Sequence, residues 1–147
     1  MFKHILIPID GSPLSRKAAA AGIALAKSVG AKVTGFMAAP PATPIVFRNF
    51  VPVGYATTDE HAKMIEKATA RHLAFIERAA AKARVRYEGV HVTSDYPADA
   101  IIEMAKKRKC DAIVMATSGQ GGMRGVFIGS VAQKVLNKSA IPVLVIR

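Results

Sequence analysis

The stretch His4-Ile5-Leu6-Ile7-Pro8-Ile9-Asp10-Gly11-Ser12-Pro13 runs apolar and largely β-branched as far as Ile9 and then breaks into a turn. That pattern is a buried strand feeding a helix. Ser12 is placed to cap the amides that open the helix, and Pro13 suits its first position, where no donor is lost. Ala18, Ala21, Leu25 and Val29 then recur at helical spacing, and Gly30 offers a stop.

The same alternation continues along the chain. A second strand, Lys32 to Ala38, leads into the proline-rich Ala39-Pro40-Pro41-Ala42-Thr43-Pro44, which is expected to run on irregularly to about Thr57. So long a loop reads either as a lid over a site or as an insertion with its own small cluster of Phe47, Phe50 and Tyr55. Thr57 with Glu60 fits a capping box for a helix reaching about Arg84, with Ile65, Ala68, Phe75, Ile76 and Ala79 on one face. His72 falls beside that stripe and reads as a partly buried, hydrogen-bonded histidine rather than a ligand or a base. A strand at 86–93, a helix after Pro97 using Ala98, Ile101, Ile102 and Ala105, and a strand at 112–116 follow. A helix at 130–138 and a strand at 142–146 complete the series.

Five strands alternating with four helices predict an α/β fold: a single-domain, doubly wound, five-stranded parallel sheet with helices on both faces. Ligands of such sheets gather beyond the carboxyl ends of the strands, where the chain order reverses. The turns after the first and fourth strands are therefore the places to look.

Composition bounds the partners. A chain of 147 residues, 51% of them hydrophobic, can bury one substantial core. Its N-terminus lacks the pattern of a signal peptide, and no apolar run approaches the roughly 20 residues of a membrane span. With the single Cys110 unable to form an internal disulfide, the expected location is the cytoplasm. The net charge of +11 makes polyanions plausible partners. The cations Lys63, Lys67, Arg71, Arg78, Lys82, Arg84 and Arg86 are spread along a helix and its exit, however, and no stacking aromatics interleave them, which favours a solvated face over a nucleic-acid surface. No cluster of His, Cys and carboxylates stands at metal-ligand spacing, so any metal is left unassigned.

The segment from Ala116 to Ser130, Ala-Thr-Ser-Gly-Gln-Gly-Gly-Met-Arg-Gly-Val-Phe-Ile-Gly-Ser, leaves a buried strand and ends at a helix start. Its chemistry points to phosphate. Glycines let backbone amides approach an anion, a helix N-terminus adds a favourable dipole, and Ser118, Ser130 and Arg124 supply donors and charge. Familiar phosphate motifs fail on it. A Walker loop needs a lysine where Gly129 stands, a dinucleotide fingerprint needs glycine where Arg124 stands, and Ser118 lacks the flanking glycines of a hydrolase elbow. The bland alternative is a flexible connection.

The spacing resembles the nucleotide loop of the universal stress protein family: glycine, two residues, glycine, nine residues, glycine, then serine or threonine, matched by Gly119, Gly129 and Ser130. Ala116 stands in the place of the first glycine. The resemblance extends from His4–Ser12 through Asp111–Ala116 to Ile141–Ile146, and it implies the adenine nucleotide alpha-hydrolase-like fold and a stress-response regulatory protein that binds ATP or another adenine nucleotide. Mg2+ is a candidate companion of ATP that Asp10 or Ser130 could help to position, though neither has the acidic company that argues for a metal site. It further implies adenosine contacts from Pro8, Asp10, Ala38, Met115 and Ala116, phosphate contacts from Gly119, Gly129, Ser130 and Val131, and a homodimer formed through the C-terminal strand. For Asp10 the alternative is closure of the Asp-Gly turn. A left-handed backbone at Ala116 would carry roughly 1–2 kcal/mol of strain, about one order of magnitude in affinity. No general base, essential lysine or catalytic triad is evident, so no catalytic residue is assigned and turnover is at most slow hydrolysis or phosphotransfer. A nucleotide-free dimeric interaction module and an electrostatic nucleic-acid binder remain as alternatives, and neither the regulatory partner nor the pathway is legible.

Overall fold

The computed structural model describes residues 1–41, 45–48, 51–55, 58–118 and 128–147. Among them, strands β1 (His4–Pro8), β2 (Lys32–Ala39), β5 (Tyr87–Thr93), β6 (Ala112–Ala116) and β7 (Val143–Ile146) form one sheet in the order β5-β2-β1-β6-β7. Every pairing in it is parallel. Helices α1 (Pro13–Val29), α2 (Thr58–Ala83), α3 (Pro97–Lys107) and α4 (Ser130–Lys138) connect these strands. The fold class and the alternation are those that the sequence implies.

The period-2 geometry of β1 sends Ile5, Ile7 and Ile9 to one side and Leu6 to the other, all of them buried. On the first side they meet Ala19, Ile23 and Ala26 of α1 and Ile76 and Ala80 of α2. On the second, Leu6, Phe36, Ile113 and Met115 meet Ala98, Ile101 and Met104 of α3 and Ala132 and Val135 of α4. Burying each large side chain contributes about 1.5–3 kcal/mol, which is why strands covered on both faces read as unbroken apolar runs. Cys110 belongs to the second core; burial, with the charge of Asp111, pushes its thiol up to about 11, so it is protonated and inert at neutral pH.

Two local expectations change. On α1 the buried face is Ala18, Ala19, Gly22, Ile23 and Ala26, whereas Ala21, Leu25 and Val29 are half-buried. The helix sits so close to the sheet that a Cβ at Gly22 would come within 2.6 Å of the Ile7 side chain, so small residues occupy the contact and larger ones flank it. The second change lies after β2. The stretch expected to be irregular contains an antiparallel pair, β3 (Ile45–Arg48) and β4 (Val51–Tyr55), with Ile45 opposite Tyr55 and Phe47 opposite Pro52. Its β-branched and aromatic residues favour strands, and in a two-stranded ribbon both strands are edges, where a proline is tolerated. Thr57 of the capping box and Phe50 of the suggested cluster lie outside the described residues. No helix among the described residues is long and apolar enough to cross a membrane.

The amino ends of the central strands are tied together by Asp111, whose carboxylate accepts the N–H groups of Lys3 and His4 at 2.8 and 3.0 Å. Beside this clamp, His4 Nε2 and Thr34 Oγ1 form a buried hydrogen bond of 2.7 Å between β1 and β2. Burial, then the charge of Lys32, pulls the His4 imidazole below its ordinary value. Folding therefore selects the neutral ring. The stability it contributes is present above the unfolded value of about 6.5 and is lost as pH falls through the lower folded value. Melting temperatures recorded from about pH 8 to about pH 5 should fall on the acid side, and His4→Gln, which keeps a partner for Thr34 without titrating, should flatten that decline. An equally steep decline in the variant would assign the acid sensitivity to other groups.

Candidate functional site

β1 is flanked by β2 on one side and β6 on the other, and the chain leaves β1 and β6 for helices on opposite faces, α1 and α4. Their carboxyl ends therefore part, and a cleft of about 560 Å³ opens there.

The end of β1 contributes Pro8, Ile9 and Asp10 to the cleft. Asp10 Oδ1 accepts the N–H of Ser12 at 2.9 Å, closing the turn, and Gly11 between them has φ +83°, a conformation open to glycine without strain. Ser12 Oγ then accepts the N–H of Ser15 at 3.1 Å, which caps α1 as its sequence implies. Asp10 thus has the turn-closing role and also faces the cleft. From β2 come Met37 and Ala38, with Pro40 just beyond.

From β6 come Met115 and Ala116. Ala116 is the last residue of the strand, paired with Ile146, and positive φ among the described non-glycine residues is confined to Arg84 and Lys109. The left-handed strain considered for this alanine does not arise.

Ser118, Gly129, Ser130 and Val131 complete this wall. The Gly129 N–H donates to the Thr117 carbonyl at 2.6 Å, and a Cβ on Gly129 would stand 3.1 Å from that oxygen and 3.2 Å from Ser118 Cα. Close approach of backbone to backbone is therefore what glycine serves here, and it holds together the two ends of the glycine-rich segment. Gly119 and Arg124 lie outside the described residues. Gly129 is the N-cap of α4 with no side-chain capping bond, and the helical ladder opens with Gln133 N–H donating to the Gly129 carbonyl at 2.9 Å. The amides of Ser130, Val131 and Ala132 are those that a helix start leaves without intrahelical acceptors, and all three residues line the cleft.

The structure thus brings Pro8, Asp10, Ala38, Met115, Ala116, Gly129, Ser130 and Val131 to one cavity. Sequence reasoning missed several further wall residues. Phe36, Pro97 and Ile101 add to an apolar wall, and their strand and helix periodicity marks them only as core. His72 also faces the cleft from α2. Burial, followed by Arg71 and Arg16, lowers its imidazole below the ordinary value, and Asp10 opposes this. Helical phase places His72 with Thr69 and Ile76, but no local signal says that this turn of α2 reaches the end of β1. Among the described residues no group of three or more His, Cys, Asp or Glu side chains is arranged to hold a metal ion. An apolar wall and a helix start with free amides are suited to a molecule with a flat apolar part and an anionic part.

Comparison with known proteins agrees with this architecture. Solved structures with the same fold include a universal stress protein in complex with cAMP, at TM-score 0.71 and 24% identity, covering 99% of this chain and 97% of that one. Another is the Archaeoglobus fulgidus universal stress protein in complex with dAMP, at TM-score 0.67 and 19% identity, covering 100% and 98%. An Arabidopsis thaliana family protein with AMP bound superimposes at TM-score 0.67 and 15% identity, covering 98% and 90%. In sequence, a universal stress protein of Thermus aquaticus is 33% identical over the full length of both chains. One from Methanocaldococcus jannaschii is 30% identical over 100% of this chain and 83% of its own. The profile of the Universal stress protein family matches residues 1–147, and the chain belongs to that family.

Proposed function

We propose that the cleft binds an adenine nucleotide and that the protein acts as a nucleotide-responsive regulator in the stress response. The observation that carries this reading is the convergence of Asp10 and Ala38 on one side with Ala116, Gly129 and Ser130 on the other at the parting of β1 and β6. It is supported by the cAMP, dAMP and AMP complexes formed by proteins of this fold. The base would lie against Pro8, Met37, Ala38 and Met115, and the phosphates would meet the amides at the start of α4. ATP is the form we favour, with Mg2+ held chiefly by the phosphates and assisted by Asp10 or Ser130. The nucleotide-free alternative draws on Ala116, and an extended strand residue with a methyl side chain is a weak ground for it.

Ultraviolet absorbance and mass spectrometry of the purified protein, followed by calorimetric titration with AMP, cyclic AMP and ATP-Mg, test the reading. Co-purified nucleotide or a dissociation constant in the micromolar range, about 8 kcal/mol of binding free energy, is expected. Protein free of nucleotide that gives no heat with any of the three rejects it. Gly129→Val presses a branched side chain on the Thr117 carbonyl and should weaken binding about tenfold or more by displacing the start of α4. Unchanged affinity would detach the loop from the ligand.

We propose in addition that the protein is a homodimer joined along β7. Among the described residues this strand pairs with β6 alone, which leaves its other edge open, and it exposes Leu144 (46%). Light scattering should give twice the chain mass, and Leu144→Glu should shift it toward the monomer. A monomeric wild-type protein at micromolar concentration excludes the arrangement.

A further inference from the structure

The nucleotide reading leaves one polar side chain of the cleft without a task. His72 projects from α2 against Gly11, and a Cβ on that glycine would run into the imidazole ring. The glycine of the Asp-Gly turn thus makes room for the ring at the end of β1, where it forms part of the cleft wall beside Asp10. The charges acting on it are Asp10 from the turn, Arg16 from α1 and Arg71 from its own helix. Arg16 is held over the Phe75 ring, 5.7 Å from its centroid. From the strands against which α2 packs, Tyr87 of β5 donates its hydroxyl to the carbonyl of Leu73 at 3.1 Å, and burial pushes its pKa up to about 12, so it stays neutral. Lys32 of β2 and Glu88 and His91 of β5 do not figure among the charges that act on the ring.

Without ligand, burial and the two guanidiniums keep the imidazole neutral near pH 7. A phosphate entering the same cavity offsets Arg16 and Arg71 in a partly desolvated setting, where charges act strongly on one another. The neutral ring offers one donor and the imidazolium two. We infer that His72 is a ligand contact of the cleft and that its imidazole takes up a proton when an anionic nucleotide enters. The inference rests on the nucleotide reading above and adds to it a residue and a dependence on pH. Occupancy rises as pH falls through the ring's titration, because the bound state holds the extra proton.

Cyclic AMP is the suitable probe, since its phosphodiester keeps one charge across the range whereas a terminal phosphate titrates near a pKa of about 6. Calorimetry of the full chain in two buffers of different ionisation heat, at about pH 6, should show uptake of about half a proton. Affinity should be about three- to tenfold higher near pH 5.5 than near pH 7.5. In His72→Gln both effects should vanish. The proton nuclear resonance of the His72 ring in the wild type should titrate at a higher pH once cyclic AMP is bound, a readout that holds even if the variant folds poorly. Proton uptake and pH dependence that are equal in wild type and variant, or a ring titration left unmoved or lowered by ligand, overturn the inference while nucleotide binding stands. Absence of heat with cyclic AMP, AMP and ATP at every pH overturns the nucleotide reading and this inference together.

Discussion

Everything at the cleft depends on the position of β1, hydrogen-bonded in parallel register to β2 on one side and to β6 on the other. A parallel strand must be followed by a crossover, and a crossover must choose a face. After β1 the chain turns to the face that carries α1 and α2, and after β6 it reaches the face that carries α3 and α4. Two adjacent strands whose exits diverge cannot close the space beyond their carboxyl ends. The cavity follows from the strand order, and the side chains at those exits decide what it can hold.

Those side chains combine structural and ligand-facing roles. Asp10 holds the Ser12 amide and so sets the direction in which α1 departs, while its carboxyl faces the cleft. Gly129 brings the start of α4 onto the Thr117 carbonyl, which fixes where the open amides of that helix point. At the opposite end of the sheet, Asp111 ties the amides of Lys3 and His4, and the buried His4–Thr34 bond joins β1 to β2. Burial raises this carboxyl's pKa, yet the amides of His4 and Lys3 more than offset that and hold it below its ordinary value. A sheet closed tightly at its amino ends leaves its opening at the carboxyl ends.

His72 alters the electrostatic character of the cleft. The helix start offers amides at one wall, and near the end of β1 the His72 imidazole stands beside the Asp10 carboxylate under the influence of Arg71 and Arg16. A nucleotide seated there would meet polar groups on both sides of its apolar bed. Such a ligand would touch α1 and α2, which already pack on each other, together with α4 from the opposite face of the sheet.

Most of the architecture was legible in the residues themselves, because its signals are local. Apolar β-branched runs such as Ile5–Ile9 and Ala112–Ala116 specify buried strands, Ser12 with Pro13 marks a helix start, and the ends of the glycine-rich segment between β6 and α4, Ser118 and Gly129, stand at the cleft. The antiparallel pair β3 and β4 was missed because Pro52 and the prolines at 40, 41 and 44 before it outweighed the strand-forming residues when read alone. The contact face of α1 was missed because only the proximity of Ile7 makes Gly22, rather than Leu25, the residue that belongs against the sheet. Ala116 illustrates the same limit. Its identity was plain, but whether an alanine there is strained depended on a backbone angle set by pairing with Ile146. His72 was visible only as a histidine beside an apolar stripe, and its place over Gly11 required α2 to be docked. The sequence by itself thus determined the five strands of the main sheet, the four helices, their order and the family, since these rest on periodicity and spacing along the chain. The tertiary structure alone decided which side chains from distant elements share the cleft, because that depends on how closely helices and strands approach in space.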